Sequence, residues 1–339
     1  MKKPHNQLDG KLLKQKVLSD GTARMTVSFY KYVKIENPEI FRDHLFLQLD
    51  DLDVLGRIYV AKEGINAQIN VPTKNMDLFK DTINTTDFLN GVRLNVAIED
   101  KSFSFFKLIV KVRDKIVADG LEDKDFDSSK IGKHLNAKEF NLLTDNSDTI
   151  LVDMRNHYES EVGHFKNAWC PDVDTFREQL PVVANKLHEQ KGKNIVMYCT
   201  GGIRCEKASA YLKFKGFENV YQLEGGIINY AKQVNQEGLE NKFVGKNFVF
   251  DERLGERITN DVIAKCHQCG KNCDNHTNCK NVACNLLFIQ CEECKEKMKN
   301  TCSKECKTFT ELPEDIQKER RKAIDSGIRI FSKGRFLKK

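Results

Sequence analysis

The chain has 339 residues, enough for two or three domains, with a net charge of +6 and 12 cysteines. No window reaches the roughly 18 to 20 apolar residues of a membrane helix, and no apolar run follows the basic start. The expectation is therefore a cytoplasmic protein without a signal peptide, whose paired cysteines serve metal ligation and catalysis rather than disulfides. The modest positive charge permits an anionic partner without requiring one.

Residues 1–21 are polar and read as loosely held. Residues 24–34, rich in Val, Phe and Tyr, read as a strand. Asn37-Pro38-Glu39 opens a helix, with proline at its first position. Strands follow at 55–61 and 65–71, joined through Glu63-Gly64, and Pro72-Thr73 starts a second helix through Ile83. A fourth strand is expected at 94–98. The order β-α-β-β-α-β is the ferredoxin-like motif. Residues 105–112 add a further strand carrying Lys107 and Lys111, which suit either a solvated face or a nucleic-acid backbone. The unit spans 1–120.

Residues 122–130 are acidic and polar and read as a linker. Asn136 and Glu139 form a capping box before Phe140. From there to about 240, strands near 150–154, 168–169, 195–199 and 220–223 alternate with helices near 175–187, 206–215 and 227–236. Such alternation predicts a doubly wound parallel sheet, with its site beyond the C-terminal strand ends. There lies Cys199-Thr200-Gly201-Gly202-Ile203-Arg204, after the apolar run Ile195 to Tyr198 and before a helix. Two glycines allow a sharp turn that aims backbone N–H groups inward. A cysteine facing a helix N-terminus and an arginine loses its proton easily. Asp153 and Arg155 read as a structural ion pair, His164 as a packing residue in a turn, and Cys205 as a small residue opening a helix or as a resolving thiol.

The unit from 241 to 339 holds nine of the cysteines, between Cys266 and Cys306. Four pairs stand out: Cys266 with Cys269, Cys279 with Cys284, Cys291 with Cys294, and Cys302 with Cys306. Eight thiolates suffice for two closed, structural tetrahedral zinc sites, with the first pair expected to join the third and the second the fourth. Cys273 and His276 are left over. The tail carries Arg329, Lys333, Arg335, Lys338 and Lys339 interleaved with Phe331 and Phe336, which suits either a solvated terminus or nucleic-acid binding.

Cys199 to Arg204 resembles the active-site loop of rhodanese-like domains, and is one residue shorter than the phosphate-sized loop of related dual-specificity phosphatases. Leu151 to Arg155, Gly163 to Ala168 and Leu223 to Gly226 resemble further rhodanese segments. A ferredoxin-like unit with Arg57-Ile58-Tyr59-Val60-Ala61-Lys62-Glu63-Gly64-Ile65-Asn66-Ala67, a rhodanese-like unit and a cysteine-rich tail together resemble the bacterial tRNA wobble-uridine hydroxylase family. The resemblance implies oxygen-dependent 5-hydroxylation of uridine 34 of tRNA, with O2 as co-substrate and an electron donor it does not identify. It implies Cys199 as nucleophile or sulfur carrier, with Arg204 and the amides of Thr200, Gly201, Gly202 and Ile203 stabilising negative charge. Arg57, Lys62 and Asn66 are the candidate tRNA contacts. A sulfurtransferase passing persulfide sulfur from Cys199, a phosphatase and a non-catalytic adaptor are the other readings.

Overall fold

The computed structural model describes residues 4–5, 10–99, 104–121, 127–323 and 336. Its first unit runs α1 (Gly10–Asp20), β1 (Arg24–Tyr32), α2 (Pro38–Asp51), β2 (Leu55–Ala61), β3 (Gly64–Pro72), α3 (Met76–Asn84), β4 (Asn95–Val96), β5 (Leu108–Val112). The strands lie in the order β4-β1-β3-β2-β5. The first four pair antiparallel in the ferredoxin-like manner, and β5 joins β2 in parallel. Leu45 and Leu49 of α2 and Phe79 and Ile83 of α3 bury against Val27, Phe29, Ile58 and Ile69. Each such side chain removed from water contributes roughly 1.5–3 kcal/mol. The strand period of two sends Ser28, Tyr30, Arg57, Tyr59, Asn66 and Gln68 toward the opposite face.

Two expectations change here. Residues 10–20 are helical rather than loose, because Val17 buries against Leu55 and Phe105. The fourth strand shrinks to two paired residues, Val96 opposite Val27 and Asn95 opposite Ser28.

The central unit runs β6 (Lys133–Leu135), α4 (Ala137–Thr144), β7 (Thr149–Asp153), α5 (His157–Ser160), β8 (Gly163–Phe165), α6 (Phe176–Lys186), β9 (Asn194–Tyr198), α7 (Ile203–Phe214), β10 (Asn219–Leu223), α8 (Gly226–Glu237). Strands β6-β10-β9-β7 form a parallel sheet. Ile195 and Met197 pack under α6 and α7, while Val196 and Tyr198 pack under α4 and α8. A strand covered on both faces needs this unbroken apolar run. The expected strand at 168–169 is a single bridge between Val152 and Trp169. Residues 163–165, expected as a turn, instead pair as β8 with β11 (Phe243–Asn247). A Cβ at Gly163 would lie 2.3 Å from the Lys246 carbonyl oxygen, so only glycine admits that approach.

The chain ends in β12 (Glu256–Arg257), β13 (His276–Asn278), β14 (Leu287–Ile289), α9 (Glu292–Met298), α10 (Lys304–Thr310) and α11 (Glu314–Ala323). Arg329, Phe331, Lys333, Arg335, Lys338 and Lys339 lie outside the described residues. Phe336, in the tail that suited either a solvated terminus or nucleic-acid binding, packs on Phe288 with centroids 5.7 Å apart and beside His267. Among the described residues no helix is long and apolar enough to cross a membrane.

Candidate active site

Cys199 follows directly on β9, where the parallel sheet ends. Gly202 takes φ +102° at the N-terminus of α7, a conformation that turns its amide back over the loop. That N–H donates to Cys199 Sγ at 3.1 Å. The loop is held from behind by α8, whose Ile227 and Ile228 amides donate to the carbonyls of Cys199 and Thr200 at 3.0 and 3.2 Å. Gly226 makes this approach possible, since a Cβ there would lie 2.4 Å from the Cys199 carbonyl oxygen.

Burial raises the pKa of the Cys199 thiol. A hydrogen bond from Cys205, the charge of Arg204 and the amides of Arg204 and Gly202 outweigh it and bring the pKa down to about 6. Cys205 moves the other way, well up, through burial and the neighbouring Cys199. The surroundings thus favour a thiolate at Cys199 and a protonated thiol at Cys205.

Arg204 contributes its charge and its backbone amide, while its guanidinium turns to Glu159. Nη1 and Nη2 donate to the two carboxylate oxygens at 2.6 and 2.7 Å, and Thr200 Oγ1 is 3.5 Å away. Glu159 is fully buried on α5, so its carboxylate needs a partner there. Asp153 and Arg155 form a separate, fully buried ion pair that also ties Arg155 to the Gly163 carbonyl. His164 Nδ1 sits 3.0 Å from the Phe165 carbonyl.

The mouth of the loop opens on a cavity of about 680 Å³. Its walls are the face of the first sheet away from α2 and α3, the Cys199 loop, and residues 249–253 after β11. The volume falls in the range of roughly 300–1,000 Å³ that holds small organic groups. Arg57 and Asn66 line it; Arg57 donates to the Phe250 carbonyl and Asn66 Nδ2 to the Ile116 carbonyl at 3.1 Å. Lys62 is exposed in the β2–β3 turn and does not line the cavity.

The wall is fastened to α7 and the loop. Tyr30 donates to Glu206 Oε1 at 2.9 Å, and Tyr32 to the Ile203 carbonyl at 3.3 Å. Asn95 Nδ2 donates to the Gly201 carbonyl at 3.4 Å, and Lys207 pairs with Glu63 at 2.5 Å. Burial, then the charge of Glu206, holds the Tyr30 phenol far above its usual range, so it stays a donor. The sequence reading missed Tyr30, Glu159 and Glu206. Aromatic and polar residues alternating along β1 and β2 are the signal that marks the cavity face.

The eight paired cysteines gather into two clusters, Cys266, Cys269, Cys291 and Cys294, and Cys279, Cys284, Cys302 and Cys306. In each, the four Sγ atoms lie within 4.8 Å of one another. Cys269 and Cys291 are 3.6 Å apart, as are Cys284 and Cys302. A tetrahedron of sulfurs about 2.3 Å from a metal has edges of about 3.8 Å, so the donor sets fit a closed four-thiolate ion. Amides of Cys291 and Cys302 point at Cys266 and Cys279, which favours thiolates. Cys273 and His276 stay outside; His276 is kept neutral, its pKa pushed down to about 3 by burial.

Residues 24–116 match the UPF0176 acylphosphatase like domain, 136–233 the Rhodanese-like domain, and 244–307 the Rhodanase C-terminal. The chain is 56% identical over 332 residues to a tRNA uridine(34) hydroxylase of Photorhabdus laumondii, covering 98% of this chain and 94% of that protein. Proteins of the same description from Pectobacterium carotovorum and Yersinia pestis are 53% and 55% identical, with the same coverage. With three matched regions in the same order and identity above half along nearly its whole length, this chain belongs to the tRNA uridine(34) hydroxylase family.

Proposed function

We propose that this protein hydroxylates C5 of uridine 34 in tRNA, using O2 as the oxygen source. The observation that carries the reading is a thiolate, Cys199, at the floor of a cavity sized for a base and ribose, in a chain whose relatives bear that activity in their names. An anticodon base is single-stranded and can swing out of its stack into such a cavity at a cost of a few kcal/mol. Cys199 adds to C6 of the uracil ring, and C5 becomes electron-rich enough to take oxygen. The amides of Gly202 and Arg204 hold the thiolate before attack, and the positive end of α7 favours negative charge there.

Arg57 and Asn66 contact the flipped nucleoside from the sheet wall, and Lys62, at the exposed turn, contacts the RNA backbone. The unit 1–120 serves tRNA contact, 131–240 catalysis, and 241–339 holds two structural zinc ions. Zinc is the favoured metal because four thiolates leave it no open position and it carries no redox chemistry of its own.

The test is nucleoside mass spectrometry of tRNA from cells lacking the gene, complemented with wild type or Cys199→Ala. Restoration of 5-hydroxyuridine-derived nucleosides by wild type alone supports the reading. A change in thiolated nucleosides instead makes the protein a sulfurtransferase, working through a Cys199 persulfide.

A further inference from the structure

Hydroxylation by O2 puts one oxygen atom on the substrate and must reduce the other to water, which takes two electrons. Among the described residues, one other cysteine shares the buried core of the reacting cysteine. Cys205, in the first turn of α7, is fully buried and shares the apolar core with Cys199. Cys199 faces the cavity, whereas Cys205 lies behind the loop and does not line the cavity. The six-residue offset is set by the glycine turn: Gly202 donates to Cys199 Sγ at 3.1 Å, and its carbonyl accepts from the Cys205 amide at 2.9 Å. The same residue folds the chain back and sets the first turn of α7 against the Cys199 loop.

We propose that Cys199 and Cys205 are a redox pair that supplies the two electrons of the hydroxylation and closes to a disulfide once per turnover. This rests on the O2-dependent hydroxylase reading above. The Cys199 thiolate adds to C6, and C5 attacks O2 to form a C5 hydroperoxide. Loss of the C5 proton and of the sulfur from C6 restores the ring and frees the thiolate. The thiolate then attacks the terminal oxygen; the O–O bond breaks, leaving 5-hydroxyuridine and a Cys199 sulfenic acid. Cys205 displaces the sulfenic oxygen as water, forming the S–S bond. In sum, one uridine, one O2, one thiolate, one thiol and one solvent proton give 5-hydroxyuridine, water and a disulfide. A small external thiol entering through the cavity attacks the Cys199 sulfur and begins re-reduction. A transient disulfide of this kind is the form expected in a reducing compartment.

The experiment uses the full chain, reduced and freed of reductant, with unmodified tRNA in air-saturated buffer. Product is counted by nucleoside mass spectrometry and thiols by alkylation and peptide mass spectrometry. The expected result is about one 5-hydroxyuridine and one Cys199–Cys205 disulfide per protein molecule, with further turnovers only after dithiothreitol is added. Cys205→Ser keeps a hydroxyl at that position, so iodoacetamide labelling of Cys199 at pH 7 should stay within about twofold; without thiol it should still make about one 5-hydroxyuridine per protein but stop with Cys199 as a sulfenic acid that dimedone traps, and with no disulfide. If Cys205 only positions Cys199, the serine variant gives no dimedone-trapped sulfenic acid after its product forms, and the proposal is overturned. For the wild type, product without disulfide, or several turnovers without added thiol, overturns it as well. If wild type yields no 5-hydroxyuridine with or without thiol, the hydroxylase reading itself fails.

Discussion

Removing one partner of the Arg204–Glu159 pair separates what Arg204 does for the fold from what it does for Cys199. Glu159 has no exposure, the Arg204 side chain has 9%, and two bonds of 2.6 and 2.7 Å join them. Arg204→Met leaves a buried carboxylate without its cation, and Glu159→Leu leaves a buried guanidinium without its anion. Breaking one side of such a pair costs about 3–5 kcal/mol, while replacing both partners by apolar groups is close to neutral. With a urea slope of about 3 kcal/mol/M, each single variant should lower the unfolding midpoint by about 1–1.7 M. The double variant Glu159→Leu with Arg204→Met should recover most of that. It keeps a deficit of about 1 kcal/mol, because Glu159 also closes the capping box of α5. The thiolate should not recover. Without the guanidinium charge the Cys199 pKa rises, and a rise of about two units lowers the thiolate fraction at pH 7 roughly tenfold. Urea titrations and iodoacetamide rates on the four proteins measure both effects. Single variants that lose under 1 kcal/mol, or a double variant that regains fast labelling, would refute this reasoning.

With a Cys199 pKa of about 6, labelling and turnover should rise as pH climbs through 6 and level off above 7; a midpoint near the ordinary thiol value in a stopped-flow labelling series contradicts the described loop. Gly202→Ala meets both a φ of +102° and the Tyr30 hydroxyl, 2.8 Å from the new Cβ. It should cost about 1–3 kcal/mol by thermal denaturation, and adding Tyr30→Phe should relieve the contact but not the backbone strain. Chelation at neutral pH should remove two metal ions by native mass spectrometry and melt the segment from Cys266 to Cys306 in hydrogen exchange, whereas Cys269→Ser should lose one ion.

What was legible in the sequence was whatever short spacing encodes. A strand, a cysteine, two glycines and a helix fall within 20 residues, and the geometry of that turn leaves little freedom. The cysteine pairs likewise announce themselves, because two thiolates a few residues apart suit one ion; their interleaving, first with third and second with fourth, is what the structure shows. Partners distant in sequence were not legible. Nothing in Glu159 marks it as the acceptor for Arg204, 45 residues on, and nothing in Tyr30 marks Glu206, 176 residues on. Arg57, a candidate tRNA contact in the sequence, lines the cavity and donates to the Phe250 carbonyl of the chain from 249 to 253, a partner 193 residues on that its own stretch does not announce. Helix α1 was missed because its apolar positions are few and Val17 supplies much of its anchoring.

The placement of those distant bonds says why this rhodanese-like loop is joined to a second sheet. Tyr30, Tyr32, Asn95 and Glu63 belong to the first unit, and all four reach Gly201 to Lys207, the loop and first turn of α7. The wall that shapes the cavity is therefore tied to the same few residues that set the Cys199 amide donors and place Cys205. A shift of the wall moves Cys199 with it, so a group held in the cavity keeps its register with the sulfur. The wall also removes Cys199 from solvent. Burial by itself would protonate the thiol; here it acts on a sulfur already held by amides, an arginine and a neighbouring thiol, so the anion survives with few waters around it. A desolvated thiolate attacks a ring carbon more readily than a hydrated one, because no water shell must be stripped first. On this view the loop provides the anion and the first sheet provides its reactivity and its choice of partner.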